Sequence, residues 1–328
     1  MSGKGRHTYA GRAADAIANE GLHRALRATQ DRLGGLTGDF WAREADPERL
    51  RERAKAARMH TLEHLDEVLA RLAARIRARG GHVHFAATAE AASAYCLDVA
   101  RRNAVRSVVK GKSMTSAEIG VDAVLEADGI QVSETDLGEF IVQLAGDAPS
   151  HIILPCIHMG RRDIGRLFHD KLGIPYSEDP ETLTRAARAA LRERMLAADM
   201  GLTGCNLACA ETGHVSLVSN EGNIRMSNTM PRVHVALMGL ERVAGSLAEH
   251  SMLLRLLTRA GAGQRMTTYM SLLGGPRAAG EADGPDEFHL VVIDNGRMDI
   301  LADPRFREVL ACIRCGACLN VCPVYGRI

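Results

Sequence analysis

With 328 residues the chain has room for a large core and about two domains of ordinary size. Its 41 Lys and Arg against 40 Asp and Glu leave a formal net charge of +1, which argues against nucleic acid as a general partner. Aromatic residues make up only 4%, too few for single-strand stacking platforms, and basic pairs such as Arg101-Arg102 and Arg161-Arg162 read as solvated faces.

The opening stretch MSGKGRHTYAGRAADAIANEG has no apolar segment of the kind a signal peptide needs, and no run supplies the roughly 18 apolar residues of a membrane span. A cytoplasmic location is therefore expected, where a dense cysteine run points to metal binding or catalysis rather than disulfides. Residues 1–45, Gly- and Arg-rich with weak periodicity, are expected to form a loosely docked arm with one short helix. Asp46-Pro47-Glu48 then supplies an N-cap, a proline at the first helical position and an acid in the first turn. Leu62, Leu65, Leu69, Leu72 and Ile76 form the apolar stripe of the helix that follows, closed by Gly80-Gly81.

From there strands and helices alternate. HVHFAA (82–87) predicts a strand and Thr88 opens a helix to Arg102. VRSVV (105–109) is a strand, 116–127 a helix, GIQVSET (129–135) a strand and 137–145 a helix. HIILP (151–155) reads as a buried strand, 161–173 as a helix, and Asp179-Pro180-Glu181 starts a helix ending near Met200. GHVSLVSNEGNIRMSN (213–228) reads as two strands joined at Asn220–Asn223. RVHVALMGL (232–240) is a strand, 246–260 a helix, 274–287 a Gly-rich loop, FHLVVID (288–294) the last strand before an Asn295-Gly296 turn, and 303–309 a helix. This rhythm argues for an α/β domain around a mostly parallel sheet.

CIRCGACLNVCP (312–323) carries Cys312, Cys315, Cys318 and Cys322 in the spacing C-x2-C-x2-C-x3-C-P. Zinc sites pair two C-x2-C elements across a gap, and there is no second such element, so the spacing favours an iron–sulfur cluster. KGKSMTSAEIG (110–120) lies at the carboxyl end of a strand. Thr115 and Glu118 make a capping box there, and Lys110, Lys112 and Ser113 stand where an anion or phosphate could dock, or where a capped helix simply carries exposed lysines. It is no Walker loop, because Arg106 stands where the first glycine belongs.

Glu134, Asp136 and Glu139 are candidate acids, bases or metal ligands, against ordinary N-terminal charge placement. His151 and His158 bracket Cys156 with no metal geometry of their own. Cys205 and Cys209 read as small buried thiols in a packed loop, and Glu211 as a candidate contact to a ligand hydroxyl or amine.

In order and spacing, KGKSMTSAEIG, ETDLGEFIVQLAGDAPSHIILPCIH, GLTGCNLACAETG, SNEGNIRMSNTMPRVHVALMGLER and CIRCGACLNVCPVYGRI resemble the lactate-utilization iron–sulfur protein B (LutB-type) family, from about residue 45 onward. The resemblance implies an N-terminal arm and helix over 1–64, an α/β LUD domain of the NagB/RpiA/CoA-transferase-like superfamily over 65–295, and a ferredoxin-type segment over 303–328.

It further implies a non-catalytic electron carrier in oxidation of L-lactate to pyruvate, working with companion proteins and holding two [4Fe–4S] clusters. Cys312, Cys315 and Cys318 would serve the first cluster and Cys322 the second. The family continues past the CPVY segment to a second cysteine run. These 328 residues are thus expected to support at most one cluster, either as a fragment or as a shortened protein using Cys322 as fourth ligand. The alternative is a binding module or enzyme for a small carboxylate or phosphorylated compound, with Lys110, Lys112, Ser113 and Glu211 at its site.

Overall fold

The computed structural model describes residues 9–326; the expected arm and cysteine segment extend beyond these limits by eight and two residues. Among the described residues, ten strands form two sheets. They are β1 (His82–Ala86), β2 (Ser107–Lys110), β3 (Gln131–Glu134), β4 (Met200–Gly204), β5 (Leu207–Cys209), β6 (His214–Ser219), β7 (Val233–Gly239), β8 (Val243–Ala244), β9 (Tyr269–Leu273) and β10 (Glu287–Ile293). The six-stranded sheet runs β1-β10-β7-β4-β2-β3 with every pair parallel, and the four-stranded sheet runs β8-β5-β6-β9. This is the expected mixed α/β architecture.

Parallel strands joined by crossover helices are covered on both faces, which is why they read as near-continuous apolar runs. Successive residues of β7 serve opposite faces. Val235 and Leu237 meet Cys96, Val99, Val121 and Leu125 on one side; Ala236 and Met238 meet Leu65, Leu69, Leu72 and Ile76 on the other. Together with Val109 of β2, Phe140, Phe168, Leu183, Leu191 and Met195 form a third core among the helices Leu137–Ala145, Arg161–Leu172 and Pro180–Ala197.

Several expectations change. The arm is mostly one long helix, Glu20–Arg43, capped by the Asn19 side chain and burying Leu26 and Leu33. Gly34, Gly35 and Gly38 weaken its local propensity, and packing overrides them. HIILP forms no strand. The His151 ring nitrogen accepts the backbone N–H groups of Ile153 and Leu154, which curls the segment into a turn.

After β6 the chain does not return as a second strand. Ser219 Oγ accepts the N–H groups of Glu221 and Gly222, and the helix Asn223–Thr229 begins at Gly222 with φ +77°. The helix expected over 116–127 is two, Met114–Ile119 and Val121–Ala127, divided at Gly120 with φ +63°. Likewise Pro47–Glu63 and Leu65–Arg77 are separate helices meeting at His64. The stretch 201–213, expected as a loop, contributes β4 and β5, and the last expected helix is a 3-10 turn over Arg307–Ala311.

Candidate functional sites

Two places gather chemistry. The first is the cysteine segment, which lies against both the arm helix and the α/β domain. Its turns need positive φ at Arg314 (+55°) and Gly316 (+81°), and the short helix Ala317–Val321 separates Cys318 from Cys322. Backbone N–H groups of Arg314 and Tyr325 point at the sulfurs of Cys312 and Cys322, at 3.3 and 3.4 Å.

The segment is clamped from several directions. Asn320 donates to the Gly261 carbonyl (3.0 Å) and Gln30 to those of Leu319 and Cys322 (2.8 and 2.9 Å). The Tyr325 hydroxyl donates to the Ser150 carbonyl. Arg242 reaches the Cys312 carbonyl at 3.2 Å, and Arg58 reaches those of Leu310 (2.9 Å), Val243 (2.8 Å) and Glu241. Burial pushes Arg58 down to about 10, with nearby Arg242 adding to the fall. Glu241 answers this positive charge, pairing with Arg297 and Arg314, and Glu118 pairs with Arg297 too.

The donor set suits an iron–sulfur cluster. Cys312 and Cys318 are exposed, Cys315 and Cys322 half-buried, and none of the eight cysteines is disulfide-bonded. A single tetrahedral ion would bring thiolates to about 3.8 Å of one another. Among the described residues the only set of three or more metal-ligating side chains within 4.8 Å is the exposed His60, Glu63 and His64. All four ligand candidates are sulfur, as cubane clusters use.

The second place is a cavity of about 650 Å³ at the carboxyl ends of β2 and β3, the position where open parallel sheets place ligands. Strand register sets Lys110 beside Glu134. Lys110 is buried, with Nζ 2.5 Å from Glu134 and 2.6 Å from Asp122. Lys112 donates to Asp136 (3.2 Å) and to the Ile153 carbonyl (3.0 Å). Neither lysine is the exposed cation expected.

The expected capping box is also rearranged. Ser113, not Thr115, is the N-cap, accepting the Ser116 N–H, and Glu118 turns away to Arg297 and Asn295. Lys110, Lys112 and Ser113 share the cavity; Glu211 lies apart, accepting the Leu247 N–H at the start of the helix Leu247–Ala262. Glu134 and Glu139 line the cavity too, and burial raises both carboxyls, Glu134 to about 7.

Cys209 is fully buried and Cys205 has its thiol pushed up to about 12 by burial, as inert core thiols should. His158 pairs with Asp147 and Ser150, and His151 is a buried acceptor. The arginine–glutamate network around Cys312 went unforeseen. A usable signal was Arg58 lying in helical register with Ala54, Thr61 and Leu62 on one buried face.

A parallel sheet covered on both faces, with a four-cysteine segment docked at its side, defines an α/β domain that carries a cysteine run. A family model described as LUD domain matches residues 69–293. An uncharacterized electron transport protein, YkgF, of Escherichia coli K12 is 49% identical over 307 residues, covering 94% of this chain and 64% of its own. Lactate utilization protein B of Bacillus subtilis 168 is 45% identical over 325 residues, covering 99% of this chain and 68% of its own. Bacillus licheniformis lactate utilization protein B matches with the same identity and coverage.

A crystal structure of a DUF162 family protein from Deinococcus radiodurans overlaps with a TM-score of 0.38 at 17% identity, over 70% of this chain and 98% of that one. The chain belongs to the LUD-domain family and, within it, to the lactate utilization protein B group. It spans about two thirds of the length of these curated relatives. Among the described residues no helix is long and apolar enough to cross a membrane.

Proposed function

We propose that the chain is the iron–sulfur electron-transfer part of a lactate-utilization system, acting with companion proteins in oxidation of L-lactate to pyruvate. Cys312, Cys315 and Cys318 supply three thiolates to a [4Fe–4S] cluster, and Cys322 is the fourth thiolate of the run, for that cluster or a second one. A cluster so held supplies one-electron transfer.

The observation carrying this reading is the run itself: four unpaired thiols on a segment tied at both ends to a folded domain, beside Arg58, Arg242 and Arg314. The Arg58 and Arg242 guanidiniums fix the backbone at Leu310 and Cys312, and all three place positive charge near thiolates. Asn320 and Gln30 fix the backbone leading to Cys322. The exposed Cys312 and Cys318 leave an edge open toward a redox partner. The names of the relatives, one an electron transport protein and the others lactate utilization proteins, agree with this role.

Anaerobic reconstitution with iron and sulfide tests it. A brown protein with broad absorption at about 400 nm that bleaches with dithionite is expected. Replacing Cys312, Cys315 or Cys318 with Ala should abolish iron uptake, and Cys322→Ala separates its two assignments. A colourless, iron-free wild-type chain after reconstitution overturns the proposal.

A further inference from the structure

We infer that His60, Glu63 and His64 form a binding site for a single zinc-class divalent ion, at the junction of the helices Pro47–Glu63 and Leu65–Arg77. The inference stands apart from the electron-transfer reading, since it uses none of the cysteines.

Helical spacing brings the three donors together. Glu63 stands three residues and His64 four residues after His60, so all three share one turn of helix and the residue that ends it. The stretch reads H-x-x-E-H, and two histidines four apart on a helix are a recurrent zinc-binding pair. Their ring centroids lie 4.7 Å apart with the planes at 62°. One ligand atom from each of the three side chains lies within 4.8 Å of the other two. Tetrahedral zinc bound at about 2.0–2.2 Å needs its nitrogen and oxygen donors roughly 3.3–3.6 Å from one another. All three side chains are exposed, so rotation about their own bonds closes the difference without moving the backbone.

The donors are also unspent. Among the described residues, neither the Glu63 carboxylate nor the two imidazoles have a hydrogen-bond or ion-pair partner, and the contact between the rings is their one side-chain interaction of this kind. Local charge favours a cation. From Met59 to Ala70 the chain carries Glu63, Asp66 and Glu67 and neither lysine nor arginine. Arg58, just ahead of that stretch, is buried with its guanidinium on the carbonyls of Val243, Glu241 and Leu310.

The donor set narrows the ion. Two imidazoles and a carboxylate suit zinc and its near neighbours, whereas magnesium and calcium take oxygen ligands. Three protein donors leave the fourth position to water. The exposed trio holds a metal and encloses no substrate.

His64 is where the first helix stops and the second starts, with φ −119° and ψ 33°, and its side chain makes no cap bond to the second. An ion on His60 and His64 ties the last turn of the first helix to the residue that breaks it. That same helix carries Arg58, so the ion braces the element that holds the backbone ahead of the cysteines.

The test is anaerobic titration of the whole 328-residue chain with zinc and with cobalt(II), in the wild type and in a His60→Ala, His64→Ala double variant. Thiolates of the cysteine run compete for these metals, and absorption separates the two sites. Cobalt on thiolates gives intense near-ultraviolet charge-transfer bands, and cobalt on imidazole and carboxylate gives weak visible bands alone. Calorimetry should count one zinc site more in the wild type than in the double variant, with the thiolate bands equal in both.

Each single histidine variant should weaken the extra site by at least roughly 10-fold, because even outer-shell partners of a metal are worth about 10- to 100-fold. Glu63→Gln should weaken it less, and Glu63→His should keep or tighten it. Magnesium chloride should not compete. The substituted side chains are exposed, so circular dichroism of every variant should match the wild type. Equal zinc stoichiometry and affinity in the wild type and the double variant, cobalt spectra with thiolate bands alone, or magnesium displacing zinc from the extra site would each overturn the inference.

Discussion

Arg58→Met removes the guanidinium at the join between the α/β domain and the cysteine segment. The residue is 1% exposed and bonds three carbonyls, those of Val243, Glu241 and Leu310, on two separate stretches of chain. Methionine fills much of the same volume but donates nothing. Each orphaned buried carbonyl costs about 1–3 kcal/mol, a gross loss of roughly 3–9 kcal/mol.

Against this stands the relief of burying a charge. The fall of the Arg58 pKa from 12.5 to about 10 corresponds to roughly 3 kcal/mol. The two together leave a net destabilisation of about 3 kcal/mol, or a melting midpoint lower by roughly 4–5 °C in a chain of this size. Urea denaturation gives the free energy, and limited proteolysis with trypsin shows whether the 305–314 stretch, rich in arginine, opens first. A loss below about 1 kcal/mol, with that stretch as protected as in the wild type, would refute the view that Arg58 joins the two parts.

Four further outcomes are expected. A Cβ at Gly261 would stand 2.4 Å from the Cys315 carbonyl oxygen, so Gly261→Ala should cost about 1–3 kcal/mol and reduce iron uptake on reconstitution. Gly35→Ala, where a Cβ meets nothing within 4 Å inside a helix, should be neutral or stabilising by about 0.5–1 kcal/mol; thermal melts distinguish the pair.

Burial raises the Glu134 carboxyl from 4.5 to about 7 against the pull of Lys110, with Glu139 and Asp122 adding to the rise. The folded chain then holds a proton that the unfolded chain releases. Stability from this group is fully present below about 4.5 and is lost as pH rises through 7, roughly 3 kcal/mol in all. Urea midpoints against pH should show Glu134→Gln gaining on the wild type across that window, and parallel curves would count against the assignment. Leu72→Ala, at a fully buried position under the large sheet, should cost about 2–5 kcal/mol by denaturant titration.

Much of the architecture is legible because parallel strands advertise themselves. Val108-Val109, Val233 to Leu237 and Leu290 to Ile293 are apolar runs with few other readings. Caps are legible too: Asp46, Thr88, Asp179 and Ser246 start helices as their side chains dictate. What escapes is decided by neighbours distant in sequence. β9 is mostly exposed on the edge of the small sheet and carries no alternation strong enough to announce a strand. Residues 151–155 have the right composition for a strand but no partner, because β3 ends the large sheet.

The two lysines are the sharpest case. Read locally they are loop cations, yet Asp122 comes from the second helix after β2 and Glu134 from the next strand, which parallel register sets beside Lys110. For the cysteines, spacing marks the run, while the arginines and Gln30 that hold the segment come from far along the chain.

The bonds from Gln30 to the carbonyls of Leu319 and Cys322 span 289 and 292 residues. On a ribosome adding about 5–20 residues per second, the arm helix waits roughly 15–60 s for the segment it will hold. Throughout that interval the face bearing Gln30 lacks this partner, and the cysteines arrive at a domain whose ten described strands have all been synthesised. Docking of the segment thus joins stretches made nearly 300 residues apart. The clamp on the cysteine run is therefore complete only after the sheet has been synthesised, when the helix Glu20–Arg43 and the short helix Ala317–Val321 meet.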